Sequence, residues 1–319
     1  MLGRPQVAWC PLSDGRRSRT ALEPCVRRAI TRIHWHSESM GPMIQRSYLV
    51  PEDLAAWNER SAHLAVAVGT EEIGSALSAL LKIVVEFDAI FLATFRRDAP
   101  PAVAYFVGTR EPGTRYQDGP YLLDPFYAHF LNRGSDGCYR LSDLAPDGFR
   151  RSEYFSTYYG GLNIGDELGL LVGVDPQSCA HVSIVRRPGA AGFTRRDCKW
   201  LNAGGPLARE AMRRINATLA PPTRHQSVVH DSLQHAYQNF GTSVLTIREH
   251  EVTQLLLRGH SAKAIARSLF IATETARNHL KRIYSKLGVT SQAELFALFF
   301  RVLEQVEPGF AGDPLTRLR

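Results

Sequence analysis

The sequence predicts two folds in series: an α+β domain built on an antiparallel sheet, then an all-α domain of four short helices. Three observations lead there. Between about residues 51 and 219, two pairs of strand-like segments are interrupted by helical ones, the element order of an antiparallel sheet with helices on its faces. Pro221-Pro222 then stops the last long helix of that set, because proline cannot continue a helical ladder. Beyond Leu245, four helix starts and stops crowd into a stretch of about 60 residues.

Bulk properties agree with this division. At 319 residues the chain is long enough for two cores. Apolar residues make up 44% and charged residues 22%, ordinary values for a globular protein. No run of 18 apolar residues occurs, so no membrane-spanning helix is expected. The Arg-rich N-terminus has no apolar segment behind it, which argues against a secretory signal. The five cysteines, Cys10, Cys25, Cys138, Cys179 and Cys198, are odd in number and none forms a CxxC pair. That predicts neither a disulfide framework nor a zinc site, and a cytoplasmic location. The net charge of +7 is uneven: residues 1–50 carry eight Arg against three acids, and 246–300 carry eight Lys or Arg against four Glu. A local positive excess is what a phosphate-binding module requires.

Each element has a local cause. Residues 1–45 mix Pro, Gly, Ser and Arg without a period and read as disordered, or as an extension preceding a start at Met40 or Met43. His34-Trp35-His36 lacks a third ligand nearby, so no metal is expected there. Order is predicted to begin within a domain spanning 46–219, at Pro51-Glu52-Asp53-Leu54, a helix start with acids in the first turn. A helix over Glu71–Val85 follows, with Ile73, Leu77, Leu80, Leu81 and Val84 on one face. Strands are predicted at Ala89–Phe95 and Ala102–Val107 across the Asp98–Pro101 turn. A Gly/Asp loop leads to short helices near Asp124–Leu131 and Ser152–Tyr159, then strands at Glu167–Val174 and Ala180–Arg186. A long helix from Thr194 to about Leu219 closes the domain. This order is similar to that of GAF/PAS sensory domains, whose sheet and crossing helices enclose a small-molecule pocket. Residues 220–243 read as a linker, solvated and partly helical. His225, His230 and His235 recur every five residues, which spreads them off one helix face and predicts no metal site.

Residues 244–303 carry the clearest signals. Thr246-x-x-Glu249 is a capping box, Val252, Leu255 and Leu256 form a stripe, and Gly259 ends the first helix. Ser261 caps a second helix bearing Ile265, Ala266 and Leu269. After a turn at Phe270–Thr273 a third helix runs to Leu287 and stops at Gly288, and Ser291-x-x-Glu294 opens a fourth. In the third helix Ala276, Leu280, Ile283 and Leu287 share a face. Glu274, Arg277, Asn278, Lys281 and Ser285 project elsewhere, flanked by Arg282. A helix with one apolar side and one Arg/Asn/Lys side suits the major groove, where Arg and Lys read guanine and Asn reads adenine. Residues 304–319 read as a tail.

The stretch Leu245-Thr-Ile-Arg-Glu249, Gly259-His-Ser-Ala-Lys-Ala-Ile265-Ala266, Thr275-Ala-Arg-Asn-His279, Ile283-Tyr-Ser-Lys286-Leu287-Gly288-Val289 and Ala293-Glu294-Leu295 resembles the LuxR-type helix-turn-helix of bacterial transcription regulators throughout. The resemblance implies that Arg277, Asn278 and Lys281 meet base edges or the adjacent backbone of double-stranded DNA. It implies that Thr275 and His279 position the recognition helix, with Thr273 and Arg282 beside them, and that Lys263 and Lys286 neighbour phosphates. It implies a homodimer on paired half-sites and contact with RNA polymerase. The aromatic set Phe296, Phe299, Phe300 and Leu303 of the fourth helix exceeds what a small core needs; it is expected in part at a dimer interface, the alternative being burial against the sensory domain. Three positions depart from the family pattern: Ala272 replaces the usual Ser cap, Ala276 the usual Val, and Gln292 a common Arg.

The front half excludes several sensors. Lys82 is the only lysine between residues 51 and 198, which argues against a phosphorylated receiver, and no lysine precedes Ser or Thr, which removes a phosphate loop. Tyr121-Leu-Leu-Asp124-Pro125 resembles part of the pocket of acyl-homoserine-lactone receptors, where the Asp accepts a hydrogen bond from the ligand amide. An acyl-homoserine-lactone-responsive quorum-sensing regulator is therefore one alternative, although Trp9, Trp35, Trp57 and Trp200 all stand far along the chain from Asp124. Asp124 and the aromatic set Phe126, Tyr127, Phe130, Tyr154, Phe155, Tyr158 and Tyr159 are the candidate lining for a small-molecule effector, and the same aromatic spacing also suits a core. Cys138 beside Tyr139 reads as an inert thiol. No nucleophile elbow, metal spacing or phosphate loop points to an enzyme or a cofactor, and Asp166-Glu167 reads as a pair at the start of a strand. The alternative of another class is a protein-interaction module without DNA binding.

Overall fold

In the computed structural model, residues 51–108, 116–132, 134 and 136–318 are described. The N-terminal extension with His34-Trp35-His36, and residues 109–115 of the Gly/Asp loop, lie outside them. Helix α1 (Pro51–Ala67) starts with Glu52 and Asp53 in its first turn, where carboxylates face the positive end of the helix dipole. Helix α2 (Ile73–Val84) buries Leu77, Leu80 and Leu81. Strands β1 (Ala89–Arg96) and β2 (Ala102–Val107) form the expected hairpin. Then come α3 (Pro125–Leu131), β3 (Gly137–Arg140), a π-helical segment at Phe155–Tyr159, β4 (Asp166–Asp175), β5 (Ser178–Arg186) and the long α4 (Arg195–Thr218).

The five strands make one antiparallel sheet in the order β2-β1-β5-β4-β3. Register decides which chemistry each face receives, because side chains alternate along a strand. Leu168 pairs with Ile184 and Leu170 with Val182, and these residues join Leu77, Leu80, Leu201 and Met212 in an aliphatic core under α1, α2 and α4. One residue out of step, Gly169 pairs with Ser183 and Leu171 with His181. That second face is roofed by Phe95, Tyr121, Phe126, Tyr127, Phe149, Tyr154 and Tyr159.

The C-terminal helices are α5 (Arg224–Asn239), α6 (Ile247–Leu257), α7 (Ala262–Ser268), α8 (Thr273–Leu287) and α9 (Gln292–Leu303). The aromatic core of the sheet does not end at the α+β domain. It continues without a break through Leu233, Tyr237 and Phe240 into Val252, Leu256, Ile265, Ile283 and Phe299.

Four readings change. The segment 220–243 is not a solvated linker: α5 buries His230, Leu233, Ala236 and Tyr237. The His230 ring bridges Tyr121, whose hydroxyl lies 2.8 Å from Nδ1, and the Arg97 carbonyl, 3.1 Å from Nε2. A carbonyl only accepts, so Nε2 carries the proton and Nδ1 accepts from tyrosine. Strand β3 is an addition, too short at four residues to show an alternating pattern. The predicted helix at 152–159 is wound as a π turn over its last five residues. The tail folds back, the buried Asp313 carboxylate accepting from Gly241 N at 3.1 Å and Ser243 N at 2.8 Å.

Candidate nucleic-acid interface

The C-terminal helices start where the capping residues dictate. Thr246 Oγ1 accepts from the Glu249 amide while the Glu249 carboxylate accepts from the Thr246 amide, so two otherwise unpaired donors are satisfied reciprocally. Ser261 Oγ accepts from Ala264 N at 3.2 Å, and Ser291 Oγ from Glu294 N at 3.1 Å. Helix α8 has Ala272 at its N-cap and no side-chain cap; Thr273 does not substitute. It ends at Gly288 with φ +66°, the left-handed geometry that glycine tolerates best.

With those ends fixed, α8 turns Ala276 and Ile283 fully inward, with Leu280 and Leu287 half-buried beside them. Its other side faces solvent. Thr275, Arg277, Asn278, Lys281 and Arg282 are all exposed, and Lys263 is exposed on α7. The Arg277 guanidinium lies 3.3 Å from the Glu274 carboxylate, but both side chains are more than 60% exposed, so the pair is weak and easily exchanged for another anion. Thr273 and His279 are half-buried, and His279 Nδ1 is buried without a hydrogen-bond partner.

Lys286 differs from the expectation. Its ammonium sits 2.6 Å from the Glu249 carboxylate and ties the end of α8 to the start of α6. Burial works to raise the Glu249 carboxyl, but the bonds from Lys286 and Thr246 outweigh it and hold the group down at about 2.

The candidate pocket residues of the α+β domain form packed structure. Asp124 caps α3, its Oδ1 accepting from Phe126 N at 2.7 Å and its Oδ2 from the Tyr116 hydroxyl at 2.6 Å. Phe126, Tyr127 and Tyr154 are buried. Tyr127 packs edge-on against Tyr121 at 5.1 Å, and Tyr154 lies 5.1 Å from Tyr158. An open cleft of about 430 Å³ lies instead between α3 and the sheet, lined by Arg97, Phe130, Leu171, Asp175, Gln177 and Cys179 among others, so that of the candidate lining residues it takes Phe130 alone. Trp57 and Trp200 belong to the aliphatic core on the opposite face of the sheet.

Beside Asp124 the register gathers a buried polar cluster, of which the sequence singled out Glu167 only as half of a pair at the strand's start. Glu167 faces inward and accepts from the Tyr159 hydroxyl at 2.6 Å and from Ser183 Oγ. Burial, reinforced by the charge of Asp124, pushes its carboxyl up. His181 is sandwiched between Phe95 and Phe126, at 4.7 and 5.0 Å, with both ring nitrogens unpartnered and Nε2 4.0 Å from Glu167. Burial lowers its pKa to about 3, so the ring is neutral. Strand pairing was the one available signal, since it alone puts 167, 181 and 183 on one face. Neighbouring Asp166 takes Arg150 at 2.6 Å and Phe193 N at 2.7 Å, which fits a structural role at the strand's start. Among the described residues no three His, Cys, Asp or Glu are grouped to hold a metal, and no helix is long and apolar enough to cross a membrane.

Comparison with known proteins agrees with the helical geometry. Residues 243–299 match the family described as bacterial regulatory proteins, luxR family. The spore germination protein GerE of Bacillus subtilis is 39% identical over 61 residues, which are 19% of this chain and 82% of GerE. A putative HTH-type transcriptional regulator in the exeN 3′ region of Aeromonas salmonicida is 28% identical over 197 residues, covering 60% of this chain and all of that protein. Among solved structures, the VqsR LBD domain from Pseudomonas aeruginosa is 23% identical, with a TM-score of 0.47 over 52% of this chain and 99% of that one. With capped helices, a buried stripe on α8 and a relative matched across most of its length, the chain belongs to the luxR family of bacterial regulatory proteins and is a DNA-binding transcriptional regulator.

Proposed function

We propose that α8 is the recognition helix, lying in the major groove of double-stranded DNA. In this arrangement Arg277, Asn278 and Lys281 read base edges, while Thr275, Arg282 and Lys263 meet the backbone. The observation that carries this reading is the division of α8: its apolar stripe is consumed by packing, while its Arg, Asn and Lys side chains all stand exposed. Two copies of the chain bind paired half-sites, RNA polymerase is the downstream partner, and the sensory domain adjusts activity in response to a small-molecule effector. The protein acts in the cytoplasm. Binding of the full chain to operator and to random duplex across a salt series tests the DNA face. Arg277→Ala is expected to cost about 1–3 kcal/mol on the specific site and much less on random DNA. Equal loss on both would remove Arg277 from base reading, and binding without salt dependence would favour a protein-interaction module.

The fourth helix does not offer the dimer surface expected of it. Phe296 and Phe300 pack on Tyr154 and Tyr158, at 6.4 and 5.7 Å, and Phe299 on Tyr237 and Phe240. Its exposed positions are Ala293, Glu294, Ala297 and Arg301. The excess aromatic area is spent inside one chain.

A further inference from the structure

We propose that residues 147–159 form an autoinhibitory clamp that ties the buried polar cluster of the sheet to the DNA-binding helices, with the π segment as the moving part. The proposal rests on the DNA face assigned above. Three contacts fasten this stretch to the C-terminal domain. The Asp147 carboxylate accepts from Ser261 N at 3.0 Å and Ser261 Oγ at 2.6 Å, at the start of α7. Backbone meets backbone next door: a Cβ on Gly148 would lie 2.6 Å from the Gly259 carbonyl oxygen, and one on Gly259 would lie 3.0 Å from the Phe149 Cα. Tyr154 and Tyr158 then pack on Phe296 and Phe300 of α9.

The same stretch is held from the other side by the sheet. Tyr159, the last residue of the π segment, gives its hydroxyl to Glu167. Phe149 locks the two ends together, its ring 5.7 Å from Tyr154 and 5.5 Å from Tyr159. A π turn carries one residue more than an α turn, so it has an alternative winding within reach, and π turns concentrate at functional positions for that reason. Rewinding to α shifts the register by one residue and swings side chains on that turn by about 100°. Tyr159 and Tyr158 cannot both keep their partners through such a shift. A change at Glu167 is thereby converted into loss of the Tyr158 contact on α9.

The direction follows from charge. The Asp147 carboxylate is bonded to Ser261, two residues before Lys263 in the chain, beside the surface assigned to phosphates. A fixed anion there opposes DNA, and the clamp also fixes α7 and α9 to the sensory domain, which restricts how two copies can place their recognition helices on paired half-sites. Release therefore raises affinity.

The test compares the full-length parent protein with Tyr159→Phe, which removes the bond to Glu167 without touching α9, and Tyr158→Ala, which removes an α9 contact without changing charge. Hydrogen exchange is read at α9 and residues 259–263, with β5 as the reference for global stability, and affinity is read on operator duplex. Both variants are expected to exchange faster at α9 while β5 stays protected, and to bind DNA about 5-fold or more tightly, the lower end of common coupling between sites. Arg277→Ala serves as the control: if it loses no affinity, the DNA face itself is wrong. If Arg277→Ala loses affinity while neither clamp variant gains any, or either binds more weakly, the clamp is overturned.

Discussion

At the end of α8 the Lys286 ammonium has two anions to choose from, a DNA phosphate or the Glu249 carboxylate already 2.6 Å away. Because Glu249 is held at about 2, below its ordinary 4.5, its contribution to stability is complete above pH 4.5 and is lost as the pH falls towards 2. The parent protein should therefore lose melting temperature more steeply over that interval than Glu249→Gln, and matching acid limbs would remove the pair from the stability of the domain. The same substitution frees Lys286 for phosphate, so the salt slope of non-specific binding should steepen by up to about one counterion. Ala272 poses the opposite case, a position with nothing to give. Ala272→Ser supplies the missing acceptor at the start of α8 and should stabilise the domain by about 1 kcal/mol in denaturant titrations. A smaller or negative change would mean that the helix start is already satisfied by water.

Elements differ in how much of them could be read in advance, and the differences have physical causes. Helices α6 to α9 were legible because their caps sit at fixed offsets and their apolar stripes follow one period, as in Thr246 with Glu249 and Ala276 with Ile283. The β1–β2 and β4–β5 hairpins were legible from alternation. Strand β3 was not, since Gly137–Arg140 pairs only along β4 and has no second neighbour to impose a pattern. The burial of α5 was hidden because its inner face carries His230 and Ser232 beside Leu233, Ala236 and Tyr237. His230 reads as solvated in sequence, and only the Tyr121 hydroxyl and the Arg97 carbonyl make its burial tolerable. Burial lowers His230 below its ordinary 6.5, although the Arg97 carbonyl and the nearby Asp231 and Asp98 pull the other way. A histidine kept neutral stabilises fully above pH 6.5, and the unfolded chain takes up the proton first as the pH falls. Melting temperature should thus decline as the pH falls below 6.5, and His230→Gln should flatten that decline. An unchanged slope in the variant would place the titration elsewhere.

At the scale of the molecule, one aromatic core spans both functional halves of the described chain, from Phe95 under the sheet to Phe299 in α9. Two domains joined by a solvated linker unfold in two steps; two domains sharing a core lose it together. Phe149 is the place to test this, because it is 1% exposed and touches Tyr154, Phe155 and Tyr159 on one side and the backbone of Gly259 on the other. Phe149→Ala removes a ring from that junction and should cost about 3–5 kcal/mol. If the core is shared, the parent protein melts in a single transition, and the variant's loss appears equally in probes of the sheet and of the C-terminal helices. Should those probes separate in the parent, with the C-terminal helices melting unchanged after Phe149→Ala, then α6 to α9 are stable without the α+β domain. The clamp at 147–159 would then lack the energetic grip that its contacts with α7 and α9 imply.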